Sequence, residues 1–329
     1  MKHIRLYIIL LLVSFISSCD RDSVENIEFN VNIQNDKNNI HTGDEVTFNF
    51  EGSPDYIAFY SGDTDNNYAN KDRNEVALKS LGMSCTIKQQ FTDQEYRGKE
   101  ILMIYISEDF SGQYTVEEIN KATWTKISGN GYNQINVPTT VGSSTEEANG
   151  RMDLSEYKDK KFYIAFAYNA PKRNDVPATD GNGRYIVAPR IDVNPLNITK
   201  ETEDGQIITM SNAMTEWGFS IIYENSEQQG TYQVNDSGLL FQPQKGKEHT
   251  DDDVIVWMVS QLISPSTVSP DRGTAIKSIE AALTSYSYRY TAPGEYTATF
   301  IATNANIWNA EQMVKQLKFT VKPLEEEIN

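Results

Sequence analysis

Residues 284–303 read Thr-Ser-Tyr-Ser-Tyr-Arg-Tyr-Thr-Ala-Pro-Gly-Glu-Tyr-Thr-Ala-Thr-Phe-Ile-Ala-Thr. Side chains alternate across a strand, so Tyr296, Ala298, Phe300 and Ala302 share one face. Pro293-Gly294 supplies the chemistry of a tight turn between this strand and Ser285–Tyr290. Leu317, Phe319 and Val321 repeat the alternation in a last strand. Such a stretch reads as paired, half-buried strands.

The same signal recurs along the chain. Alternating or β-rich runs occur at 45–51, 56–60, 84–91, 101–107, 123–127, 161–168, 185–193, 218–223 and 254–262. Turn chemistry bounds them, as in Glu51-Gly52-Ser53-Pro54-Asp55 and Asp180-Gly181-Asn182-Gly183. Helix signals are weak. Thr115 with Glu118 is the cap pattern of a two-turn helix over 115–122, and Asn309–Lys315 is a second candidate. The pattern predicts an all-β protein of sandwiches.

The chain has 329 residues, with 29 Lys+Arg against 46 Asp+Glu and a net charge of −17. That acidity repels a phosphate backbone and argues against nucleic acid as a partner. Two Cys rule out a disulfide scaffold, and three His leave little material for zinc or His-based catalysis.

The address is carried by the start. Lys2 and Arg5 precede an apolar run from Leu6 to Ile16. As a helix that run spans roughly 16 Å, too short for a ~30 Å hydrocarbon core. It has the form of a secretory signal peptide over residues 1–18. Ser17-Ser18-Cys19 closes it and resembles the bacterial lipobox, in which the Cys is lipidated and becomes the first residue. The resemblance implies a lipid bilayer as a partner through Cys19. Residues 19–26 then form an acidic, polar tether, similar to the surface-export signal of Bacteroidetes lipoproteins. Cys85 is left without a partner in the chain and is expected as a buried, inert thiol.

Two modules are discernible. Residues 284–306 resemble the second half of a polycystic-kidney-disease-type (PKD) immunoglobulin-like domain. Gly43–Gly62, with its Phe-Glu-Gly-Ser-Pro-Asp-Tyr-Ile-Ala-Phe-Tyr-Ser-Gly ending, resembles the opening strands of that module. A discontinuous immunoglobulin-like sandwich made from 27–74 and 272–323 accounts for both, with a tail at 324–329. The inserted part, 75–271, resembles a jelly-roll β-sandwich of the galactose-binding or cleaved-adhesin type. Ile104–Phe110, Ala122–Ile127 and Met152–Tyr168 carry that likeness, and in the last run Phe162, Ile164, Phe166 and Tyr168 alternate. Taken with the lipobox, these runs resemble one family throughout. It is a family of Bacteroides lipoproteins built on the domain of unknown function numbered 5017. The resemblance implies address and fold and transfers no catalytic residue.

Chemistry-bearing motifs are few. The sequence holds no H-E-x-x-H, no G-x-S-x-G and no phosphate-binding Gly-Lys loop. His249 sits in a polar loop. Candidate structural calcium ligands are Asp63 and Asp65 in Asp63-Thr64-Asp65-Asn66-Asn67, and Asp175, Asp180 and Asn182 in a second oxygen-rich stretch. Asp251-Asp252-Asp253 is a third. For each, the competing reading is a solvated turn. Trp124 and Trp257 lie in alternating strands and are expected in the core, and Trp217 at its edge. Trp308 lies in a loop between the two last strands and is the foremost candidate for stacking on a ligand, with Tyr60 and Tyr68 behind it.

The function expected from these readings is that of a lipid-anchored, non-catalytic binding protein at the cell surface. It would serve as a glycan-binding accessory of polysaccharide uptake beside an outer-membrane transporter complex. An adhesin that binds host or partner protein is the alternative, and a hydrolase a second one.

Overall fold

The computed structural model of the protein describes residues 24–171, 188–211, 213–224, 230–243 and 253–324. Their regular structure is nearly all strand, joined by turns and loops. β1 (Asn30–Ile33), β2 (Ile40–His41), β3 (Glu45–Glu51) and β4 (Tyr56–Tyr60) come first. They are followed by β5 (Leu78–Gln90), β6 (Leu102–Ser107), helix α1 (Val116–Lys121), β7 (Thr125–Lys126), β8 (Glu146–Asp153) and β9 (Tyr163–Ala170). Then come β10 (Arg190–Val193), β11 (Asn197–Thr202), β12 (Ile207–Thr209), β13 (Ser220–Tyr223), β14 (Gly230–Asn235), β15 (Gly238–Pro243) and β16 (Val254–Val259). β17 (Thr274–Lys277), β18 (Ser285–Arg289), β19 (Gly294–Ala305) and β20 (Ala310–Lys322) close the chain. The described residues divide into two compact units: those up to Asn74 and from Val268 form unit 1, and those from Glu75 to Thr267 form unit 2.

Unit 1 is built from a three-stranded sheet, β1-β3-β18, and a five-stranded sheet, β17-β4-β19-β20-β2. Strict alternation on β3 turns Val46, Phe48 and Phe50 inward and leaves Glu45 and Glu51 outside. Phe48 meets Phe59 and Phe300 of the facing sheet at ring-centroid distances of 5.7 and 5.0 Å. Tyr296, Ala298, Phe300 and Ala302 are all buried, as period two requires. Pro293-Gly294 forms no left-handed turn; Gly294 already pairs with Val321 as the first residue of β19. The corner is pinned instead by the Tyr296 hydroxyl, which donates to the Ala292 carbonyl at 2.9 Å. Gly52, at φ +90°, is required for a different reason: a Cβ there would stand 1.8 Å from the Glu28 carbonyl oxygen.

The candidate helix Asn309–Lys315 is not formed: Ala310–Lys315 is strand and Asn309 ends the turn before it. Ala310 to Val321 pair along the whole of β19, from Ala305↔Ala310 to Gly294↔Val321. A ladder of that length outweighs the weak helix propensity of Glu311-Gln312-Met313. Asp271, at the end of the inserted domain in the sequence reading, belongs to unit 1. Its buried carboxylate accepts from the Asn67 N–H at 2.8 Å and the Asn70 amide at 3.2 Å.

Unit 2 packs two larger sheets around one core. One has the order β12-β11-β5-β10-β15-β14, with β8 on the other edge of β5. The other is β13-β16-β9-β6-β7. Leu81, Met83, Cys85 and Ile87 of β5 face Ile164, Phe166 and Tyr168 of β9 across that core. Burial pushes the Cys85 thiol up to about 12. Trp217 is buried, its indole N–H on the Leu196 carbonyl. α1 begins where Thr115 caps it: the Thr115 Oγ1 accepts from the Glu118 N–H at 3.3 Å. Trp124 and Trp257 are not in the inter-sheet core. They lie half-buried in a satellite cluster with Phe110, Ile119 and Tyr163, on the outer face of the second sheet. β9 alternates around Ala165, so its small residues leave room for those rings outside while its large residues fill the core.

Candidate functional site

Four of the residues singled out from sequence, Cys19, Asp175, Asp180 and Asn182, lie outside the described residues, as does His249. The others fall in two places, both in unit 1.

The Asp63 loop is closed upon itself. The Asp63 carboxylate accepts from the Tyr288 hydroxyl at 2.6 Å, and burial with this bond raises the Tyr288 phenol. The Asn66 side chain accepts from the Ser61 N–H at 2.6 Å and donates to the Arg272 carbonyl. Asp65 stands exposed at φ 62°. Among the described residues no three of His, Cys, Asp and Glu gather as a metal-ligand set. Tyr60 is buried beneath the loop, its ring edge-on to Tyr68 at 5.4 Å. A Cβ on Gly273 would meet the Tyr60 ring at 2.5 Å. Neither tyrosine presents a free face of the kind Trp308 does.

Trp308 stands 68% exposed at the end of the β19–β20 hairpin, next to Ile307 at 87%. The turn is held by Asn306, whose side-chain oxygen accepts from the N–H groups of Trp308 and Asn309, both at 2.8 Å. The Asn306 N–H donates to the Asn309 carbonyl at 2.9 Å. Two-residue hairpin turns favour Gly, Asn and Asp because they usually need left-handed φ. Here Ile307 and Trp308 keep negative φ. The Asn306 amide stands in for the backbone carbonyl, which lets two bulky apolar residues occupy the tip.

A third place was not foreseen from sequence. On the outer face of the β5 sheet a groove of about 710 Å³ runs across β8, β5, β11 and β12. It is lined by Ser80, Gly82, Ser84, Arg151, Asp153 and Thr199, among others. A second depression, of about 430 Å³, adjoins it and shares Ser84 and Arg151. Asn149, Asn194 and Asn197 line this second part. The pleat produces the lining. Inward Leu81, Met83, Cys85 and Ile87 alternate with outward Ser80, Gly82, Ser84 and Thr86, all small and mostly hydroxylic. Gly82 lowers the floor: a Cβ there would meet nothing nearer than the Thr199 Oγ1 at 3.5 Å.

Polar groups in the groove are unequally engaged. Asp153 accepts from the Ser155 N–H at 2.9 Å and from its hydroxyl, which hold the carboxyl below the usual range. Glu201 accepts from the Lys79 ammonium at 2.7 Å and from the Ser80 hydroxyl, and its carboxyl is lowered too. Arg151 is exposed, opposite Ser84 in the β5–β8 register, and among the described residues its guanidinium makes no hydrogen bond or ion pair. The signal in the sequence was the run of small polar residues on one face of an otherwise apolar strand.

A family model described as Domain of unknown function (DUF5017) matches residues 18–217. The chain belongs to the DUF5017 family. No curated protein and no solved structure matches it. The DUF5017 match spans every lining residue of the groove, from Ser80 to Ile207, and ends before the Trp308 hairpin.

Proposed function

We propose that this DUF5017 protein is a lipid-anchored, non-catalytic binding protein of the cell surface, and that the groove above β5 holds a glycan. The observation that carries the reading is the continuity of the two depressions at Ser84 and Arg151. A sugar chain carries a hydroxyl or ring oxygen at nearly every position. It leaves water at little cost only where the protein returns those hydrogen bonds. Ser80, Ser84, Asn149, Asn197 and Thr199 return them as donors and acceptors, and Arg151 adds five N–H donors. Hydrolysis needs one carboxylic acid with a raised pKa and a second carboxylate near it. Asp153 and Glu201 are both held in the ionised form by their partners, which favours holding a glycan over cleaving it.

The remaining parts of the reading rest on sequence. Ser17-Ser18-Cys19 supports lipidation, and the acidic tether supports exposure on the outer surface of a Bacteroides cell. Unit 1 is read as the PKD-type immunoglobulin-like module and unit 2 as the jelly roll. An outer-membrane transporter is the natural receiver of a captured glycan.

Affinity electrophoresis of the chain from residue 20 onward, in gels cast with a broad panel of polysaccharides, tests the binding claim. Retardation by at least one polysaccharide is expected. Uniform mobility across the panel, with the protein shown folded, contradicts it. Cys19→Ala is expected to abolish palmitate incorporation in cells; persistent label rejects the anchor.

A further inference from the structure

The hairpin tip of unit 1 and the start of the described chain lie at the same end of one sheet. The Asn304 amide donates to the Glu25 carbonyl at 3.0 Å, and its oxygen accepts from the Asp55 N–H at 2.9 Å. Asp55 in turn accepts from the Ala305 N–H at 3.1 Å. Asn304 and Ala305 lead directly into Asn306, Ile307 and Trp308. Glu25 stands six positions after Cys19, a reach of at most roughly 22 Å at about 3.6 Å per step. Cys19 is thereby tethered within roughly 22 Å of Glu25, at the end of the sheet from which the tip extends.

The tip has the chemistry of a bilayer interface. Ile307 and Trp308 are the two most exposed large apolar side chains of the hairpin, and Trp prefers the headgroup level, where its ring is buried and its N–H stays wet. No Lys, Arg, Asp or Glu occurs between Glu295 and Glu311, although acids outnumber bases 46 to 29 over the chain. An acidic tip would be repelled by an anionic leaflet and would resist burial. Asn306 fixes the turn, so little conformational freedom is lost on contact.

We propose that Ile307 and Trp308 form a second membrane contact, seated at the headgroup level of the bilayer that holds Cys19. This rests on the lipid-anchor reading above. One acyl-type attachment leaves a protein free to swivel; a second, apolar point fixes its orientation. Trp308 is thereby reassigned from a glycan platform to a lipid-facing anchor.

The test supplies the anchor chemically, so that its outcome is separate from lipidation in the cell. The chain from Cys19 onward is coupled through that thiol to a maleimide phospholipid in phosphatidylcholine vesicles. Cys85 is buried and stays unmodified. Acyl chains carrying bromine then quench any tryptophan at the membrane. Quenching is expected in the unchanged protein, and Trp308→Phe is expected to remove most of it. No quenching in the coupled protein, or equal quenching in the variant, overturns the membrane contact. A soluble glycan that shifts Trp308 emission without lipid also overturns it. Palmitate labelling of Cys19 in cells reads the lipid-anchor claim by itself.

Discussion

The groove of unit 2 lies on strands and the hairpin tip of unit 1 in the turn between two strands; both face away from a core, yet their chemistry is opposite. Above β5 the outward positions are Ser80, Gly82, Ser84 and Thr86, and the surface is concave and polar. In the turn after β19 the exposed residues are Ile307 and Trp308, and the surface is an apolar point. The difference teaches what each surface can hold. A polar hollow recovers hydrogen bonds for a polyhydroxyl ligand, whereas a two-residue apolar point has too little area for that and suits the edge of a lipid layer.

The largest effect is expected where the tip is supported. Phe300 touches Phe48, Phe50 and Phe59 at 5.0, 5.3 and 4.9 Å between ring centroids, and is fully buried. Phe300→Ala is expected to cost about 3–5 kcal/mol in urea unfolding, since the sandwich cannot collapse around a missing ring. A cost below about 1 kcal/mol would mean that the hairpin does not share a core with β3.

Alkaline pH probes the cores of both units. Cys85 under the groove is pushed from 9.0 to about 12, and the Tyr290 phenol in the core of unit 1 is pushed up from 10.0, both first by burial. Each group is neutral in the folded chain and ionises earlier once unfolded. Stability from these groups is therefore complete below about pH 9 and is lost as pH rises from there toward 12. Urea midpoints are expected to fall steadily over that range. A midpoint that stays flat through it would contradict the burial of both groups.

A smaller effect on stability, with a large one on binding, is expected at the groove floor. Gly82 has room for a side chain and keeps an ordinary strand φ. Gly82→Val fills the hollow with a residue that favours strands. Its melting temperature is expected to stay within a few degrees of the parent while retardation by polysaccharide is lost. Unchanged retardation would place the ligand elsewhere.

Alternation explains what the sequence could reveal. β3 and β4 were legible to the residue because Val46, Phe48, Phe50, Ile57 and Phe59 recur at period two beside turn residues. β8 was not, because Glu146-Glu147-Ala148-Asn149-Gly150-Arg151 shows no apolar stripe; it is a strand by virtue of pairing with β5. β11 owes its place to β5 in the same way. The groove lies between these two unforeseen strands, so its lining resembled solvated surface until the pairing was known. Trp308 was legible as a loop residue, but the contact of its hairpin with Glu25, made by Asn304, joins residues far apart in sequence. The Asp63 loop shows the reverse: its oxygen-rich composition serves Tyr288, Ser61 and Arg272.

The most direct measurement compares two variants in one gel containing a polysaccharide that retards the parent. Arg151→Ala removes the unengaged guanidinium at the junction of the two depressions, and Trp308→Phe removes the exposed indole at the tip. The account predicts that Arg151→Ala runs free while Trp308→Phe is retarded like the parent. Free migration of Trp308→Phe together with full retardation of Arg151→Ala would contradict it.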